Sequence, residues 1–118
     1  MPSTSQNIQV ARVIEPHSNA VLHVGEKHVI QWDTSSNPTI TDIVYANLYK
    51  GFGSDIKLIQ SIPINRKASA GCSEPFVVPN TTRGYDYFFN LIGGNGEVLA
   101  SYYFNITANK QYTRYCTR

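Results

Sequence analysis

Charge is scarce in this sequence. Ten Lys and Arg stand against eight Asp and Glu in 118 residues, a formal net charge of +2. So small a balance excludes attraction to nucleic acid or an anionic membrane through bulk charge. Lys110, Arg114 and Arg118 gather near the C-terminus, but three spaced cations read as a solvated tail. Long apolar runs are missing as well; none approaches the roughly 20 residues of a membrane span, so no membrane insertion is expected. Catalytic signatures are also absent. There is no G-x-S-x-G elbow and no H-E-x-x-H pattern, and GGNG is followed by Glu97 where a phosphate loop needs Lys. The eight carboxylates show no pairing. The reading is therefore of a non-enzyme with no cofactor.

Two further scarcities bear on compartment. The opening MPSTSQN has neither the basic nor the apolar region of a secretion leader. Either the chain is cytosolic or a leader lies outside this sequence. Only Cys72 and Cys116 are present, and an even count suits one disulfide. Cys116 sits two residues from the end, in YTRYCTR, where a tail needs a tether. A bridge would stabilise the fold by about 4 kcal/mol in the chain-entropy picture. The other reading is two buried thiols. Asn80-Thr81-Thr82 and Asn105-Ile106-Thr107 fit the N-glycosylation pattern, whereas Pro38 blocks Asn37-Pro38-Thr39. Bridge and sequons together favour a secreted chain in an oxidising, extracellular compartment.

Strand formers fill the rest. Hydrophobic residues make up 42% of the chain, eight of them tyrosines, and β-branched and aromatic types dominate the periodic segments. IQVARVI (8–14), AVLHV (20–24), HVIQWD (28–33), IVYANLYK (43–50), IKLIQSI (56–62), PFVV (75–78), YDYFFNLI (85–92) and EVLASYYFNI (97–106) follow one another with turn residues between them. Asn95-Gly96 is the strongest hairpin signal, expected as a type I′ turn. NRKASAGCSE (65–74) is expected to be the longest connection. Seven or eight antiparallel strands without helices predict an all-β, immunoglobulin- or fibronectin III-like sandwich over residues 8–106. Residues 1–7 and 107–118 are expected to be tails.

Period-two alternation assigns the faces. Val44, Ala46 and Leu48 are expected inside with Ile30 and Trp32, leaving Ile43, Tyr45, Asn47 and Tyr49 outside. Tyr85, Tyr87, Phe89 and Leu91 are placed inward, and Asp86, Phe88 and Asn90 outward. In the last segment Val98, Ala100, Tyr102, Phe104 and Ile106 are placed inward, and Leu99, Ser101, Tyr103 and Asn105 outward. The outward rows would merge into one patch of Tyr45, Asn47, Tyr49, Phe88, Asn90, Ser101 and Tyr103. Aromatic faces stack on sugar C–H groups while amides and hydroxyls pair with sugar hydroxyls. The opposing reading is cross-strand packing, or a face covered by the tail, a second copy or another domain. His17, His23 and His28 surround the Gly25 turn and could approach one another, but surface histidines are common and no metal site is assigned.

The order of these motifs resembles a known family. EPHSNAVLHVGEKHVIQWD, with Pro16, Gly25, Ile30 and Trp32, is similar to the opening of the immunoglobulin-like domain in the fungal yeast cell-wall synthesis family. ANLYKG (46–51), VP (78–79), GYDYFFNL (84–91) and SYYFNI (101–106) resemble its later strands. The resemblance implies a secreted or glycolipid-anchored wall protein, some members being tied to β-1,6-glucan assembly, with no catalytic residues to carry over. It departs from the family in lacking a leader, a Ser/Thr-rich stalk and an anchor signal, and in its tail NKQYTRYCTR. The partner expected is β-glucan bound by Tyr45, Asn47, Tyr49, Phe88, Asn90 and Tyr103. The alternative is a structural or interaction domain that meets another wall protein or itself.

Overall fold

A computed structural model describes residues 13–34 and 40–108. Ten strands follow in order: β1 (Val13–Glu15), β2 (Val21–His23), β3 (Lys27–His28), β4 (Gln31–Trp32), β5 (Asp42–Lys50), β6 (Lys57–Lys67), β7 (Phe76–Val77), β8 (Gly84–Gly93), β9 (Val98–Ala100) and β10 (Phe104–Thr107). No α-helix occurs among the described residues; one 3₁₀ turn spans Ala68–Ala70. The larger sheet runs β2-β10-β8-β5-β6, with β9 continuing the β10 side of β8. Short pairs β1-β4 and β3-β7, joined to Cys72 by a bridge from Gln31, make the opposite layer. The fold is an all-β sandwich, as expected. Among the described strands the one departure from the antiparallel rule is β2, which lies parallel to β10.

The core lies between these layers. Val13, Ile30, Trp32, Phe76 and Val78 close on Ala46, Leu48, Tyr87, Phe89, Leu91, Phe104 and Ile106, all buried. Phe76 meets Phe89 edge-on at 5.6 Å, and Phe89 stacks on Phe104 at 5.5 Å. Trp32 satisfies its indole N–H on the Ala68 carbonyl at 2.7 Å, as a buried indole must. Ser73, the one buried polar residue among those described, accepts from the Ile30 amide and donates to the Glu74 carbonyl. The segment 65–74 is thus partly sheet. β6 continues through Asn65 to Lys67, and Gly71, with φ 77°, closes the 3₁₀ turn before Cys72. Proline is tolerated within β6 because β6 is an edge strand of this sheet.

Bulges alter three of the expected faces. Ile43 opposes Gly93 but Tyr45 opposes Ile92, so β5 carries one extra residue and its phase flips. Ile43 is buried and Val44 only half-buried, the reverse of period-two counting. In β8 the pairing shifts between Gly84↔Ile106 and Tyr87↔Phe104, which throws Tyr85 outward to 71% exposure. The last segment breaks at Ser101–Tyr103 into β9 and β10. Leu99 is therefore buried, Val98 and Tyr102 are exposed, and Ala100 is exposed with them. Past the break the expected phase returns, with Phe104 and Ile106 inside.

The 93–97 hairpin also differs in detail. Gly96 has φ 89° whereas Asn95 is not in the positive region, so the turn is not type I′. The Gly96 amide donates to the Gly93 carbonyl and the Gly93 amide to Glu97, closing a turn followed by a left-handed glycine. Asn95 contributes through its side chain, whose Oδ1 accepts from the Glu97 amide at 3.1 Å.

Candidate functional site: an aromatic sheet face

Between residues 45 and 50 β5 runs without an extra residue against β8. Tyr45, Asn47 and Tyr49 therefore stand opposite Ile92, Asn90 and Phe88 on one face, with Pro63, Ser61 and Leu58 of β6 on their other side. Tyr49 stacks on Phe88 at 5.3 Å and 20°. Phe88 meets the Tyr103 ring edge-on at 5.3 Å. Tyr103 packs on Phe52 at 4.8 Å, and Phe52 meets Tyr85 at 6.2 Å. Five rings thus form one unbroken path across β5, β8, the loop after β5 and the break between β9 and β10.

Their exposure separates two roles. Tyr49 and Phe88 are half-buried and cover each other's faces, the cross-strand packing that steadies any sheet. Open ring surface belongs instead to Tyr45, Phe52, Tyr85 and Tyr103. The polar groups of the row are linked as well. Ser61 donates to Asn47 Oδ1 at 2.5 Å, the Asn47 amide reaches the Tyr49 hydroxyl at 3.4 Å, and the Tyr103 hydroxyl donates to the Gly51 carbonyl at 3.2 Å. Ser101 is spent on the strand: its amide donates to the Phe89 carbonyl and its hydroxyl accepts from the Phe89 amide.

The six residues expected to form the site, Tyr45, Asn47, Tyr49, Phe88, Asn90 and Tyr103, thus share one outer face. Phe52 and Tyr85 were not among them. Phe52 had a visible signal, an aromatic side chain within the glycine-flanked turn GFGS. Tyr85 had none, because its exposure depends on the β8 bulge.

Where β5 ends, Lys50 turns to Asp86. Its Nζ lies 2.9 and 3.0 Å from the two carboxylate oxygens and 5.3 Å from the Tyr87 ring centroid. The charge-assisted bond to Asp86 raises the Lys50 pKa above its ordinary value of 10.5, against a smaller opposing effect of burial. Two glycines make room. A Cβ on Gly84 would come within 2.7 Å of Asp86 Oδ1, and one on Gly51, where φ is +127°, within 2.5 Å of the Asp55 carbonyl. The result is a cleft of about 810 Å³ with Phe52 as one wall.

The histidines divide. His17 pairs with Glu15 at 2.9 Å, while His23 Nδ1 and His28 Nε2 lie 3.3 and 3.2 Å from one oxygen of Glu26. Among the described residues no group of three or more His, Cys, Asp or Glu side chains is placed to hold a metal. Cys72 is half-buried, and Cys116 lies outside the described residues together with the expected bridge. The two sequons differ in setting. Asn80 is exposed in the bend after Pro79. Asn105 is half-buried, and its amide nitrogen donates to the Asn19 and Ala20 carbonyls at 3.2 and 3.3 Å, fastening β2 to β10. Compared with family models and with curated proteins, the sequence finds no match, so the resemblance to the fungal wall family rests on its motifs.

Proposed function

We propose that this chain is a non-catalytic, secreted module that binds polysaccharide across the outer face of its large sheet. The observation that carries this reading is the ring path from Tyr49 to Tyr85, with open surface at Tyr45, Phe52, Tyr85 and Tyr103. A solvated sheet face normally carries charge; this one carries flat apolar rings with hydroxyl and amide groups between them. Asn47 and Asn90, side by side across β5 and β8, supply donors and acceptors at its centre. The motif resemblance adds the ligand class, fungal cell-wall β-glucan, and a location in or near the wall.

Retention on insoluble β-glucan tests it. Wild type is expected to sediment with the polymer, and Tyr45→Ala combined with Tyr103→Ala to weaken retention about tenfold or more, at roughly 0.5–1.5 kcal/mol for each ring. Retention unchanged in the double variant would sink the proposal. A second reading, an assembly face, draws on Leu58, which opposes Tyr49 at the sheet edge and is 54% exposed. It predicts self-association of wild type in sedimentation velocity that Leu58→Lys abolishes, with no glucan retention.

A further inference from the structure

The cleft at the end of β5 has its own chemistry. Its base is the Lys50–Asp86 pair, whose side chains are only 28% and 17% exposed. Phe52, half exposed, lines the cleft together with Thr82 and Asp55. The backbone holds the base in place, since the Gly51 amide donates to the Asp86 carbonyl at 2.9 Å.

Counting donors and acceptors shows what the pair has left to offer. An ammonium carries three N–H groups, and two bonds to Asp86 leave one. A carboxylate offers about four acceptor sites, and accepting twice leaves two. The base therefore presents a charged donor beside charged acceptors, with Nζ and the carboxylate oxygens about 3 Å apart. An anion would be repelled by Asp86 and a cation by Lys50. A neutral vicinal diol meets neither repulsion, because one hydroxyl oxygen accepts from Lys50 while the neighbouring hydroxyl donates to Asp86. Such charge-assisted bonds are the stronger class of hydrogen bond. The C–H face of the same ring would then rest on Phe52.

We propose that this cleft binds one hexopyranose unit of a neutral glycan, gripping adjacent hydroxyls between Lys50 and Asp86 and seating the ring on Phe52. The inference rests on the polysaccharide reading of the sheet face. Phe52 joins the two places, since it lines the cleft and packs on Tyr103. The face holds the length of a chain by stacking, and the cleft selects a uncharged sugar by its diol.

Calorimetric titration of the whole chain with a soluble β-linked glucose tetrasaccharide tests the cleft; retention on insoluble β-glucan tests the face. Lys50→Met and Phe52→Ala are each expected to weaken tetrasaccharide binding about tenfold. Val77→Ala, at an exposed position on β7 in the opposite layer, is expected to leave it unchanged. Thermal melts of each variant establish folding, and Phe52→Ala removes a half-exposed ring from no core position. Tetrasaccharide affinity unaltered in both cleft variants would overturn the cleft proposal, even with glucan retention still dependent on Tyr45 and Tyr103. Tetrasaccharide binding lost in Lys50→Met, with no retention on the polymer by wild type, would uphold the cleft and sink the face. No binding of either probe by wild type would sink both.

Discussion

Single side chains here carry consequences that can be measured one at a time. The Lys50 ammonium is held charged by Asp86, so its pKa is higher folded than unfolded. Its contribution to stability is fully present below the unfolded value near 10.5 and is lost as pH rises through the folded one. The difference in stability between wild type and Lys50→Met should stay level from pH 7 to about 9 and shrink above about 10.5. Denaturant melts across that range would show it, and a difference independent of alkaline pH would contradict the pair's role. At this scale the sequence was legible for side chains within unbroken runs. Trp32, Leu48 and Phe89 are buried where alternation put them. Lys50 and Asp86 are 36 residues apart, and nothing in either neighbourhood marks them as partners.

Strands add what residues alone lack, a choice of face. Asn105 shows how one side chain secures an element: its amide fastens the turn before β2 to β10, where parallel strands have no hairpin to align them. Asn105→Ala should cost about 1 kcal/mol. It should also speed hydrogen exchange at Val24, whose amide donates to Thr107, more than at Leu91 in the centre of the sheet. Equal effects at both amides would mean that Asn105 does not hold β2 locally. The site row Tyr45, Asn47, Tyr49 was legible because β5 keeps period two against β8 from residue 45 to 50. Ile43, Tyr85 and Leu99 were not, because each lies beyond a bulge or break. Such an interruption arises from how two strands share hydrogen bonds, and no residue type in YDYFFNLI or EVLASYYFNI announces it.

Across the whole molecule, two layers meet through a small set of rings. Phe89 stands at their centre, edge-on to Phe76 from the smaller layer and stacked on Phe104 within its own sheet. Phe89→Ala should lower stability by about 3–5 kcal/mol, read from the urea midpoint. Tyr85→Ala, removing a ring of similar size from the surface, should fall within about 0.5 kcal/mol of wild type. Comparable losses in the two variants would contradict an outward Tyr85 on β8. From sequence alone came the all-β class, the inward Trp32 and Phe89, the 93–97 hairpin and the aromatic row on β5. All of these follow from local alternation and turn chemistry, which the chain carries in any context. Only the tertiary structure decided that Tyr85 faces outward, that Leu99 faces inward, and that Phe52 joins the row to the Lys50–Asp86 cleft. Those outcomes depend on registers between strands far apart in the chain, where one extra residue reverses every side chain beyond it.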